Sequence, residues 1–195
     1  MSRWQPNTRA RLQSAALELF AERGFAATTV PEITARAGLT TRTFFRHFAD
    51  KREVLFADEI DVPALASRLI AEAPASHSPM RIIAASLETV AEAQFSGGVE
   101  RFLARKAIIR SDEGLRERET HMMTRLSDAL RSGFVARGVD ETTAQLTAQI
   151  TLAVFGTAIG RWLGQGAADD LPEILHDTLA RLRTIMSDDG WEARH

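Results

Sequence analysis

Apolar residues recur along this chain with the 3.6-residue period of an amphipathic helix, and no stretch alternates with the two-residue period of a strand. Leu12, Ala15, Ala16, Leu19 and Phe20 follow the i, i+3, i+4, i+7, i+8 pattern, which predicts a helix from Asn7 or Thr8 to Arg23. Gly24 ends it, and Phe25 is expected to tuck back into the same small core. The stretch from Thr28 to Phe48, TTVPEITARAGLTTRTFFRHF, then parses as two short helices joined by a turn. Thr29 is a good N-cap with Glu32 in the capping-box position, and Pro31 falls in the first turn, where its missing N–H has no intrahelical partner to lose. That helix passes Ile33 and Ala37 and stops at Gly38, which takes a left-handed C′ conformation at little cost. Thr40 caps the next helix, which runs to Phe48. Phe44 and Phe48 are four apart, share one face and are expected to be buried, leaving Arg42, Phe45 and Arg46 pointing away from the core.

Asp50, with Glu53 three residues on, caps a further helix through Val54, Leu55 and Ile60, broken or kinked near Pro63. Leu65, Leu69 and Ile70 continue a helical pattern to Glu72, and residues 73–79 form a connection rich in Pro and Ser. Helices are then expected over 79–94, with Ile82, Ile83, Leu87 and Val90, and over 99–111, with Phe102, Leu103, Ile108 and Ile109. A long one begins at Asp112 or Glu113 and runs to Arg137, where Gly138 terminates it. The most apolar runs from Asp140 or Glu141 to about Gly164, and the last from Asp170 to Met186. The fold class is therefore all-α: an N-terminal three-helix unit over residues 1–56, followed by a helical domain over 57–195.

A helix, a short turn with glycine and a second helix with an exposed basic and hydroxyl face form the helix-turn-helix arrangement, which sets its second helix in a DNA major groove. The charge distribution agrees. Of 24 Lys/Arg and 26 Asp/Glu, residues 1–56 hold nine basic and five acidic, a net of +4, and the rest holds 15 and 21, a net of −6. A basic head on an acidic body suits phosphate contact by the head. Arg3, Trp4, Arg9 and Arg11 stand at its entrance, either as an arm on the sugar-phosphate backbone or as an ordinary terminus. The chain has no cysteine, which excludes disulfides and thiolate chemistry and fits a reducing compartment. Met1 to Pro6 is polar without an apolar run behind it, and no segment approaches the roughly 20 apolar residues of a membrane span. A cytoplasmic protein with no membrane partner is expected.

Gly24-Phe25, Thr28-Thr29-Val30, Ile33, Ala37-Gly38-Leu39, Thr43-Phe44-Phe45, His47-Phe48, Lys51 and Leu55 resemble, in order and without gaps over about residues 8–56, the N-terminal signature of TetR-family transcriptional regulators. The resemblance implies a homodimeric repressor that binds a double-stranded DNA operator and takes a small-molecule effector, of unknown identity, in its C-terminal domain. Carried over by position, it places base and nearby phosphate contacts on Thr41, Arg42 and Thr43, and mainly backbone contacts on Phe45, His47 and Lys51. Their chemistry suits these roles. Arginine donates two bonds to guanine O6 and N7, threonine reads a base edge or a thymine methyl, and His and Lys suit phosphates. Phe45 stands where the family usually has tyrosine, so a hydroxyl contact is lost; it lies either at the DNA surface or in an enlarged core. Pro31 removes a polar contact that some members make, and His47 is either a contact or a cap on its own helix.

No catalytic constellation is visible. The five histidines are scattered, with no His-x-x-x-His pair, P-loop or nucleophile elbow, so neither an enzyme nor a cofactor or metal site is expected. Candidates to line an effector pocket are Phe95, Phe102, Met122, Met123, Phe134, Phe155 and Trp162, with His121, Arg105 or Arg161 as polar handles; the same apolar residues also suit an ordinary core. Gly156, Gly160 and Gly164 recur every four residues along an apolar helix and make one smooth stripe. The stripe suits close packing within one subunit or a two-fold contact. In the second case Gly156 and Gly160, with Leu171, Ile174, Leu175, Leu179 and Leu182 of the last helix, are expected at the dimer interface, which the family resemblance also places on the two final helices.

Overall fold

Each stretch of helical period becomes a helix, and no strand occurs among the described residues, so the protein is all-α. The computed structural model describes residues 8–56, 61–95, 98–166 and 170–187. Arg3, Trp4 and Ile60, named above, lie outside them. The helices in order are α1 (Thr8–Arg23), α2 (Val30–Arg36), α3 (Thr41–His47), α4 (Glu53–Phe56), α5 (Val62–Glu72), α6 (Pro79–Phe95), α7 (Val99–Ser111), α8 (Glu113–Ala136), α9 (Glu141–Gly164) and α10 (Leu171–Met186).

The chain divides into two compact units. The first comprises residues 1–59 together with 97–121, so α7 and the start of α8 join α1–α4 in space although they follow them by 40 residues or more in sequence. The reason is apolar burial: Ile108, Ile109 and Leu115 complete a cluster with Leu12, Leu19, Ile33, Phe44, Phe48 and Val54. The predicted inward face of α1 is the observed one, with Gln13 also buried and its amide donating to the Val54 carbonyl at 3.5 Å.

The second unit comprises residues 60–96 and 122–195. In it α6 packs on α5, α9 and α10, and α9 packs along α10. Phe134 and Leu175 are fully enclosed, and Gly133 gives Ile70 room: a Cβ there would stand 3.2 Å from two of its carbon atoms. Arg137, just past α8, donates to the carbonyls of Ile70 (3.0 Å), Ala73 (2.9 Å) and Pro74 (2.7 Å), which closes the open C-terminal end of α5. Between α9 and α10, Asp177 accepts from Arg161 at 2.7 Å and from Arg181 at 3.0 Å.

Leu171, Ile174, Leu175 and Leu179 are taken up inside this unit, buried on the face that α10 turns to α6 and α9, and Leu182 is half-buried. Leu171, Ile174, Leu175 and Leu179, expected from the pattern at a two-fold contact, thus have partners within the subunit. An amphipathic helix has one apolar stripe, and here the neighbouring helices of the same chain claim it. Gly156, Gly160 and Gly164 behave differently. They are exposed, and a Cβ built on any of them meets nothing within 4 Å. Close packing within the described part of the subunit does not explain the stripe.

Candidate nucleic-acid interface

Local sequence fixes the ends of α2 and α3, and so the angle at which α3 is presented. The Thr29 hydroxyl accepts from the Glu32 amide at 3.4 Å while the Glu32 carboxylate accepts from the Thr29 amide at 2.8 Å, completing the reciprocal cap. At the other end of α2, Gly38 sits at φ +64°, Leu39 N–H donates to Thr34 O at 2.8 Å and Gly38 N–H to Ala35 O at 3.1 Å. Those two bonds satisfy carbonyls that the helix leaves open, in a turn whose backbone favours glycine. Thr40 then caps α3, its hydroxyl accepting from Thr43 N–H at 3.2 Å. Beyond α3, Asp50 accepts from the Glu53 amide at 2.8 Å and Glu53 from the Ala49 amide.

Two phenylalanines hold α3 from beneath. Phe44 is fully buried and Phe48 nearly so, their ring centroids 5.4 Å apart. Phe45 leaves that core: it is 59% exposed, edge-on to Phe44 at 5.4 Å. Thr41 and Arg42 are exposed beside it, and Thr43 is half-buried, its hydroxyl 3.0 Å from that of Thr40. His47 is half-buried, with its Nε2 enclosed and without a hydrogen-bond partner.

The basic residues of the head sort by partner. Arg23 pairs with Glu32 at 3.0 Å, and Arg36 with Glu22 at 2.9 Å and Glu18 at 3.3 Å. The hydrogen bond from Arg36 draws the Glu22 carboxyl below its ordinary range, and the bonds from Thr29, helped by Arg23, do the same for Glu32. Arg11 donates to the Ala37 carbonyl at 2.6 Å. Lys51, expected on the DNA face, instead donates to the carbonyls of Phe25 (2.8 Å), Thr28 (2.9 Å) and Ala26 (3.3 Å). By contrast Arg42, Arg46 and Arg52 are exposed, and their side chains have no hydrogen-bond or ion-pair partner among the described residues. Two of those three lie on α3. An outward helix face with two unpaired guanidiniums, a threonine and an exposed ring is equipped to meet an anionic polymer with readable edges.

Sequence reasoning missed Arg11 as a support and the carbonyl partners of Lys51, because both sets of bonds join residues 23 to 26 apart that no periodicity connects. The residues considered for an effector pocket divide between the two units. Phe102, buried, and His121, exposed, belong to the first unit. Phe95, Met122, Phe134, Phe155 and Trp162 belong to the second, where Phe95 meets buried Trp162 edge-on at 4.7 Å and Phe134 is fully enclosed. Among the described residues no group of three or more His, Asp or Glu side chains is arranged to hold a metal, and no helix is long and apolar enough to cross a membrane.

Residues 12–57 match the family described as bacterial regulatory proteins, tetR family. Over 88 residues the chain is 38% identical to the HTH-type transcriptional regulator TcmR of Streptomyces glaucescens, a match covering 43% of this chain and 37% of that protein. It thus spans well under half the length of this relative. The fold resembles that of NalD, the secondary repressor of the MexAB-OprM multidrug efflux pump in Pseudomonas aeruginosa, with a TM-score of 0.62 at 19% identity over 90% of this chain and 94% of that one. It also resembles the transcriptional regulator FadR of Bacillus subtilis, solved in complex with stearoyl-CoA, with a TM-score of 0.60 at 17% identity over 88% and 95%. At such identities the likeness is one of fold.

Proposed function

We infer, from a chain whose residues 12–57 place it in the tetR family of bacterial regulatory proteins, how this DNA-binding transcriptional regulator works. It acts as a homodimeric repressor that an effector releases from a pseudo-palindromic operator. One observation carries the DNA-binding part of this reading: α3 is turned outward on two buried phenylalanines, with Arg42 and Arg46 exposed and unpartnered among the described residues and Phe45 uncovered. In this reading Arg42, with Thr41 and Thr43, reads base edges, while Arg46 and Arg52 meet phosphates and Phe45 makes an apolar contact.

Two copies are needed because an isologous pair presents two such helices to half-sites about one helical turn, roughly 34–36 Å, apart. The face that suits the contact is the exposed side of α9, where Leu146, Gln149, Ala153, Gly156 and Gly160 follow each other at alternate spacings of three and four. Ile185 and Met186 at the end of α10 are also exposed and apolar. The effector lodges in the second unit, with Phe95 and Trp162 as its aromatic wall; the similarly folded FadR is solved in complex with stearoyl-CoA. It acts by binding the non-operator conformation more tightly, since equal affinity for both would shift nothing.

The test is selection of bound sequences from a random DNA pool. A pseudo-palindrome is expected, and Arg42→Ala is expected to lose about 1–3 kcal/mol on it and relax one base position per half-site. Recovery of no preferred sequence sinks the reading.

A further inference from the structure

We propose that Lys51 is a positioning residue that locks the turn before α2 to the segment after α3, and that it is not a phosphate contact. The proposal rests, for its DNA arm alone, on the reading of this protein as a DNA-binding regulator. An ammonium has three protons and accepts nothing. Here all three have carbonyl partners in one turn, on Phe25 (2.8 Å), Thr28 (2.9 Å) and Ala26 (3.3 Å). The Phe25 ring forms a floor beneath the nitrogen, 4.4 Å from it, where the negative face of an aromatic ring favours a cation.

The cradle is built and braced. Gly24 at φ +83° turns the chain out of α1, and Thr28, almost fully buried, donates its hydroxyl toward the carbonyls of Gly24 (2.9 Å) and Leu19 (3.3 Å). The carbonyls of residues 25, 26 and 28 are thereby left facing the lysine. Lys51 itself follows Phe48, the inward anchor at the end of α3. Its side chain ties the entrance of α2 to the exit of α3, and so fixes both flanks of the helix-turn-helix at once. The contrast with Arg42, Arg46 and Arg52, exposed and unpartnered among the described residues, marks which cations remain to meet DNA.

The geometry also selects lysine over arginine. Three carbonyls converging on one point match a compact ammonium, whereas the flat fork of a guanidinium spreads its donors in a plane. At a phosphate the two would be interchangeable in charge.

Lys51→Arg and Lys51→Met in the full chain, with the parent, decide the matter. Both variants are expected to melt roughly 2–4 °C lower and to exchange the amides of residues 25–29 at least about tenfold faster, as local opening of the turn becomes easier. On the selected operator both are expected to bind about tenfold more weakly with the salt slope of the parent retained, because no phosphate contact has been lost. The proposal is overturned if Lys51→Arg binds like the parent and Lys51→Met reduces the slope by about 0.9 with melting and exchange unchanged in both. If the parent selects no DNA sequence, the regulator reading falls, while melting and exchange still decide the cradle: unchanged values refute it and faster exchange with lower melting supports it.

Discussion

The guanidinium of Arg11 stands 2.6 Å from the carbonyl oxygen of Ala37, so the first helix holds the C-terminal end of the second. Ala37 is the C-cap of α2, and the turn that aims α3 begins at the next residue. A cation at a helix C-terminus meets both an open carbonyl and the negative end of the helix dipole. Arg11→Ala is therefore expected to destabilise the protein by about 1–2 kcal/mol and to lower operator affinity more than the loss of one remote surface charge would. Thermal melting and a DNA titration check it; an unchanged melting temperature removes Arg11 from the support of the turn.

Phe44 and Phe45 are adjacent and have opposite fates, fully buried and 59% exposed. Phe44→Ala is expected to cost about 3–5 kcal/mol of stability. Phe45→Ala is expected to leave melting nearly unchanged and to weaken operator binding. Equal melting losses for the two would place Phe45 in the core.

This pair shows how far the chain could be read before folding. Phe44 and Phe48 at a spacing of four, Thr29 three before Glu32 and Gly38 after Ala37 are local signals, and each bond, turn or burial they predict is present. What failed to show is long-range. Nothing within a few residues of Lys51 says that three carbonyls some two dozen positions earlier converge on it. Nor does the leucine stripe of α10 say whether α6 and α9 or a second chain will cover it, because the hydrophobic effect has no direction and takes the nearest apolar face. Phe102 and His121 read as part of the second domain for a related reason: sequence order put them there, and burial of Ile108 and Ile109 carried them to the first unit.

Acid is expected to loosen the contact between α9 and α10. The hydrogen bonds from Arg161, then Arg181, draw the Asp177 carboxyl below its ordinary value of 3.8. A carboxylate with a lowered folded pKa contributes stability that is complete above the unfolded value and disappears as pH falls through the folded one. Asp177→Asn should thus melt below the parent by a constant margin from about pH 5 to 8, and the margin should close below about pH 4. A margin that persists at the acid end would show that the loss is one of shape and not of charge.

Gly160 gives a clean test of assembly, because a side chain there meets nothing within 4 Å in the described chain. Within one subunit, replacing an exposed helical glycine is expected to be favourable by up to about 1 kcal/mol. Gly160→Leu should therefore fold at least as well as the parent, yet sediment as a monomer and bind the operator far more weakly. A dimeric Gly160→Leu protein with unchanged affinity would take the α9 face out of the interface.

The division of the first unit into two sequence segments has a consequence during synthesis. Ile108, Ile109 and Leu115 complete the cluster that surrounds Phe44 and Phe48. A ribosome that has released residues 1–59 has therefore delivered α3 without the last wall of its core. The nascent chain must add α5, α6, α7 and the start of α8 before α3 acquires its final footing. Closing so long a loop is slow compared with forming adjacent helices. A growing polypeptide consequently becomes competent to grip nucleic acid late, after more than half of it has emerged, and truncated products ending before residue 115 should be poor competitors for the operator.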